Sequence, residues 1–214
     1  MPKNTSERIV ESSLELFNLQ GERSVSTNHI AAHMGISPGN LYYHFPNKQA
    51  IVAVLFGEHE ALIDSFLRPP QGRVMTLADK QGYFYGLSVA IWRYRFLYRD
   101  LEHLLENDPA LAARYRSFCQ RGLTHVQAIY AGFVEAGIMC MNKVQIESLA
   151  LNAWMVMSSW VRFFCTARNN APPLSQDSLK RGVYQVLMLE SGFVTAQARP
   201  GFDALLEVFY VPFE

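Results

Sequence analysis

The sequence predicts an all-α fold: three short N-terminal helices, a connecting helix, and a larger helical domain. Three observations predict it. Apolar residues recur at helical spacing along the 214-residue chain, and no run shows the period of two that a half-buried strand requires. Capping residues such as Asn4, Ser37, Asn47, Asp108 and Ser175 stand where the runs begin, and Gly21, Gly35, Pro46 and Pro69-Pro70 stand where they stop. Residues 36–48, ISPGNLYYHFPNK, fit a short helix, a turn and the start of another helix into thirteen positions.

The first helix opens on a capping box, Asn4 with Glu7 three residues on, and runs through Ile9, Ser13, Leu16 and Phe17 to Gly21. Ser26 or Thr27 starts the second, whose inward side is Ile30, Ala31 and Met34 and whose end is Gly35. Ser37 caps the third, with Pro38 at its first position, where the missing N–H does no harm. Pro46 stops it and Asn47 caps the fourth, over 48–68, with Ile51, Leu55, Leu62 and Phe66 on one stripe. Beyond Gly72 the pattern predicts helices over 74–99, 101–106, 109–136, 143–168 and from Ser175 to about 192, with a loop over 169–173 and a helical tail over 202–210. The expected organisation is residues 1–47 as the helix-turn-helix domain, 48–68 as the connecting helix and 69–214 as the second domain.

Composition narrows the class. Half the residues are hydrophobic and 18% are charged, an ordinary globular balance with a formal net charge of zero. The charge is uneven, because residues 23–57 hold Arg23, Lys48 and three histidines but no carboxylate, which leaves a local positive face. Cys119, Cys140 and Cys165 have no C-x-x-C spacing and follow no signal peptide, so a reducing cytoplasm without disulfides, and inert buried thiols, are expected. Residues 148–167 are apolar but carry Asn152, Ser158, Ser159 and Arg162; a central charge costs about 2.5–3.5 kcal/mol on insertion scales, so a buried helix is expected and no membrane partner. No G-x-S-x-G, H-E-x-x-H, glycine-rich phosphate loop or paired carboxylates occur, which argues against an enzyme and against a cofactor.

The small and aliphatic positions Ala31, Gly35, Ile36 and Leu41 let the second and third helices cross through a tight glycine turn, the helix-turn-helix arrangement, with the third as the recognition helix. Its seven residues carry more aromatic surface than they can bury, so part must face a partner. Together with Ile30, Ser37, Tyr42, His44, Phe45, Lys48 and Ile51, these residues fit the pattern T-x-x-x-IA-x-x-x-G-[VI]-S-x-[GA]-x-[LI]-Y-x-[HY]-F-x-x-K-x-x-[LI]. Over about its first 57 residues the chain thus resembles the DNA-binding domain of TetR-family transcriptional regulators. The resemblance implies a cytoplasmic Ω-shaped homodimer on a pseudo-palindromic double-stranded DNA operator, an unknown small-molecule effector in a C-terminal cavity, and loss of operator binding when it arrives. The alternative is a helix-turn-helix protein that acts through protein partners without an effector. Where many members carry a charged pair before the IA, this chain has Asn28 and His29, which implies a weaker and more pH-dependent backbone grip.

Candidate residues follow from that frame. Phosphate grips are Lys48, the N–H groups that open the fourth helix, Tyr42 and the Thr27 hydroxyl, while Pro38, Gly39, Asn40 and Tyr43 are the base readers. Asn28, Ser37 and His44 complete the DNA-facing set. The competing reading packs Tyr42 or Tyr43 against the first helix. His29 and His33 sit one turn apart, but no third ligand is in reach, so no metal is expected. Phe66, Leu87, Ile91, Tyr94, Phe118, His125 and Met155 are expected to line the ligand cavity, against ordinary core packing for any one of them. Residues 143–168 and 178–192 are apolar nearly all round, so each is expected to give one face to the core and another, through Trp160, Phe164, Val183 and Leu187, to a second subunit.

Overall fold

The computed structural model describes residues 4–167 and 173–212. Among these, eleven α-helices follow in chain order: α1 (Thr5–Gln20), α2 (Thr27–Met34), α3 (Pro38–His44), α4 (Lys48–Phe66), α5 (Leu77–Arg93), α6 (Arg95–Arg99), α7 (Leu101–Asn107), α8 (Pro109–Glu135), α9 (Lys143–Thr166), α10 (Gln176–Glu190) and α11 (Arg199–Phe209). The only β feature among the described residues is one isolated bridge, Met139 with Val194, which pins the α8–α9 loop beside the turn after α10. No helix among them is long and apolar enough to cross a membrane.

Local chemistry sets most helix starts. Asn4 and Glu7 form the expected box, and Asn142 with Gln145 forms another at α9. Ser26 boxes with His29, whose Nδ1 accepts the Ser26 N–H at 3.4 Å, so histidine stands where glutamate is usual. Gly35 takes the left-handed conformation (φ 67°) and ends α2 with its N–H on the Ala31 and Ala32 carbonyls.

The expected helix over 74–99 is two helices with a later start. Thr76 and Asp79 exchange backbone-to-side-chain hydrogen bonds, which fixes the first turn at Leu77. At the other end Asn18, from α1, inserts its amide: Nδ2 donates to the Arg93 carbonyl and Oδ1 accepts the Phe96 N–H. One side chain thereby satisfies the end of α5 and the start of α6, and Tyr94 turns between them. The last helix starts at Arg199 instead of 202, with Pro200 in its first turn, and α10 ends at Glu190 in a 3-10 turn. The expected loop over 169–173 lies outside the described residues except Pro173.

The chain forms two compact units: the described residues through Leu62 with Arg93–Tyr115, and Ile63–Trp92 with the described residues from Arg116 on. Residues 93–115 therefore join the N-terminal helices and depart from the expected 69–214 domain. The first unit's core is Ile9, Phe17, Val25, Ile30, Leu41, Ile51, Leu55 and Phe96, with the Phe17 and Phe96 rings 5.2 Å apart. In the second unit, α9 and α10 pack most intimately, around Val161, Val183, Val186 and Leu187.

Candidate nucleic-acid interface

Leu41 is fully buried against α1 and α2, and it orients α3. At 100° per residue, the row opposite Leu41 holds Gly39 and Tyr43, with Pro38 and Tyr42 on one flank and Asn40 and His44 on the other. Tyr43 is 85% exposed, its ring steadied by an edge contact with His44 at 5.1 Å. Gly39 does not have a positive φ, and a Cβ there would meet only Ser37 Oγ at 3.9 Å. Packing within the chain does not demand glycine at 39.

Tyr42 is about half exposed and its hydroxyl lies 2.9 Å from Thr27 Oγ1, tying α3 to the first residue of α2. Both line a concavity of about 370 Å3 with Arg23, Ser24, Val25, Ser26, Pro46, Asn47 and Lys48. The α2 and α4 N-termini open onto it, so hydroxyl donors, helix dipoles and Arg23 face one place, an arrangement suited to backbone phosphates. Asn28, Ser37, Pro38 and Asn40 are exposed and His44 is half-buried. Neither tyrosine is taken up by the core.

Lys48, expected as a phosphate grip, is also bonded inside the chain: Nζ bonds the Glu22 and Val25 carbonyls at 2.9 Å each and the Glu22 carboxylate at 2.8 Å. Lys48 thereby ties the turn after α1 to the start of α4. The Glu22 N–H donates to Asp100, while Arg99 donates to the Phe17 and Asn18 carbonyls at the end of α1. Residues of α6 and its C-terminal edge thus complete the capping of α1. His29 and His33 also diverge, the first to Ser26 and the second to Glu15, 3.8 Å away.

A buried histidine that the sequence reading passed over sits in the same unit. His59 on α4 bonds the Tyr98 hydroxyl at 2.8 Å and lies edge-on to the Tyr94 and Tyr98 rings. Burial lowers its pKa to about 4 from the ordinary 6.5, and the nearby Glu60 carboxylate opposes this only in part.

The expected ligand-lining residues do not share one environment. Tyr94 belongs to the first unit, buried, with its hydroxyl on Glu58 at 3.1 Å. The others belong to the second. Phe66 lies against Gly86 of α5, where an added Cβ would come within 3.1 Å of the ring. Phe118 and Ile91 are buried, Leu87 is half-buried, and Met155 points outward at 55% exposure. Trp154 covers Gly122, with its ring tilted against Phe118 at 5.6 Å. One turn on, the buried His125 Nδ1 makes no hydrogen bond to the described residues.

The expected dimer residues are largely engaged within the chain itself. Val183 and Leu187 are 0% exposed and Phe164 is buried, because the α9–α10 contact consumes those faces. Trp160 seats on Gly182 and donates Nε1–H to the Ser178 carbonyl at 2.6 Å. The large apolar side chains left exposed on these helices are Val144, Leu151, Met155 and Phe163 of α9 and Met188 and Leu189 of α10. Cys140 and Cys165 are exposed, against the expectation of buried thiols, and Cys119 is half-buried.

Deeper in the second unit, Lys80 of α5 pairs with Glu190 of α10 at 2.7 Å, both almost wholly buried. The Tyr130 hydroxyl donates to the other Glu190 oxygen at 2.6 Å, and burial followed by that carboxylate's charge raises the phenol well above its ordinary range. The Lys80 ammonium also faces the Phe133 ring at 4.4 Å.

Comparison with known proteins agrees with this geometry. A family model described as bacterial regulatory proteins, tetR family, matches residues 9–55, and one described as TetR, bacterial transcriptional repressor, matches 58–202. The HTH-type transcriptional regulator UidR of Escherichia coli K12 is 35% identical over 69 residues, 32% of this chain and 35% of UidR, so the match spans about a third of that relative. The crystal structure of a TetR-family transcriptional regulator from Marinobacter aquaeolei VT8 is 42% identical, with a TM-score of 0.90, covering 98% of this chain and 100% of that one. A gamma-butyrolactone receptor (ArpA like protein), 15% identical with a TM-score of 0.64 over 96% of this chain and 95% of its own, shares the fold.

Proposed function

Because the chain belongs to the TetR family of bacterial transcriptional regulators and carries its DNA-binding helix-turn-helix, we propose that it is a homodimeric repressor that leaves its operator when a small apolar or aromatic molecule binds the second unit. The observation that carries the DNA half is the outward row of α3, an exposed Tyr43 beside a glycine that internal packing does not require. The phosphate-facing concavity at Thr27 and Tyr42 supports it. Two such readers per dimer would address a pseudo-palindrome at about 34–36 Å or somewhat more.

The ligand half is supported by His125. A buried ring nitrogen without a hydrogen bond to the described residues, one turn along α8 from the Gly122 that Trp154 covers, is a polar contact that a ligand's donor could complete. One observation favours the runner-up, action through protein partners without an effector: Trp154 already fills the space above Gly122. Fluorescence anisotropy with a DNA duplex from upstream of the gene separates the two readings. A compound that releases the DNA from the wild type but not from His125→Leu, with operator affinity itself unchanged, supports an effector. A compound that binds the protein without releasing DNA favours the runner-up.

A further inference from the structure

The groove-reading side of the helix-turn-helix lacks the side chains that select guanine or cytosine strongly. Between them, α2 (TNHIAAHM) and α3 (PGNLYYH) contain no Arg, Lys, Gln, Asp or Glu. Arginine or lysine makes the bidentate contact to guanine O6 and N7, and Asp or Glu accepts from cytosine N4. Arg23 lies before α2 in the phosphate-facing concavity, and the Lys48 ammonium bonds Glu22 and two carbonyls. What remains on the outer surface of α3 suits the other base pair. The Asn40 side chain is exposed, makes no hydrogen bond to the described residues, and can pair with adenine N6 and N7. The Tyr43 ring, 85% exposed on the outermost row, is an apolar surface for a thymine methyl, and Gly39 behind it allows close approach. Asn28, exposed on α2, is a second amide of the same kind.

The histidines do not restore guanine selectivity of that strength. His44 is half-buried with its ring against Tyr43, His29 uses Nδ1 in the α2 cap, and His33 faces Glu15. An imidazole's two nitrogens point away from each other on the ring, so none of the three can make the bidentate contact to guanine O6 and N7.

We propose that the operator half-site has an A·T core where α3 enters the major groove, with Asn40 reading adenine and Tyr43 reading the thymine methyl. The inference rests on the DNA-binding reading above and specifies its target. It is tested by selecting duplexes from a randomised library with the full-length protein, then remaking the selected site with deoxyuridine for thymidine, 7-deazaadenine for adenine, or 7-deazaguanine for guanine. The expected result is an A·T core, about tenfold weaker binding with 7-deazaadenine at one position, the size of one good base contact, and a weaker site with deoxyuridine. Asn40→Ala should lose the first sensitivity and Tyr43→Ser the second, with circular dichroism confirming that both fold. A selected G·C core whose binding falls with 7-deazaguanine would overturn the base assignment while leaving the DNA-binding reading intact. Failure to select any sequence would overturn both.

Discussion

At the residue scale the decisive positions are those whose surroundings inside the chain do not explain them. Gly39→Ala should fold with an unchanged melting temperature, since the new Cβ meets nothing nearer than 3.9 Å, yet weaken operator binding about tenfold by holding the helix off the groove. Lys48 is the reverse case. Lys48→Met strands the Glu22 carboxylate and two carbonyls, so it should cost about 1–3 kcal/mol in urea unfolding and leave the salt dependence of DNA binding unchanged. A salt slope reduced by about 1 would put the ammonium back on a phosphate. His59 gives the pH dependence. The unfolded chain binds a proton there below about pH 6.5, while the folded chain resists until about pH 4. Its contribution is therefore fully present above 6.5 and lost as pH falls through that window, on the order of 3 kcal/mol in all. Urea midpoints at pH 7 and 5 should differ less for His59→Asn than for the wild type.

At the scale of elements, what the sequence made legible was what neighbours in sequence decide. The Asn4 box, the Ser175 cap, the left-handed Gly35 and the Pro38 start all reside within a turn of the residues they control. The break at Tyr94 was illegible because its cause, Asn18, is 75 residues away. The inward tie of Lys48 was illegible for the same reason: residues 23–57 hold no carboxylate, but Glu22 stands one position outside that window and folds back onto the ammonium. For α9 and α10 periodicity failed differently, since a helix apolar all round does not say which side meets the core. The Lys80–Glu190–Tyr130 cluster shows how strongly such helices are fastened once placed. Lys80→Met should destabilise the protein by about 3–5 kcal/mol, because it leaves a buried carboxylate unpaired. Adding Glu190→Gln should recover part of that loss in the same denaturation experiment.

At the scale of the whole molecule, the proposed dimer must use surface that one chain leaves open. Phe163→Glu should therefore give a folded monomer in sedimentation at micromolar protein, since Phe163 is 53% exposed. Leu187→Glu should instead unfold the second unit, because that side chain is already in its core. A Phe163→Glu protein that stays dimeric would move the interface elsewhere. The central claim is coupling: α4 begins beside α3, and its last turn, with Phe66, belongs to the second unit. If a ligand weakens operator binding a hundredfold, about 2.7 kcal/mol, the operator must weaken ligand binding by the same factor. The most direct measurement is a calorimetric titration of a ligand that depends on His125, into protein alone and into protein saturated with operator. Equal factors are expected in the two directions; the same ligand affinity with and without operator would contradict release by coupling through α4.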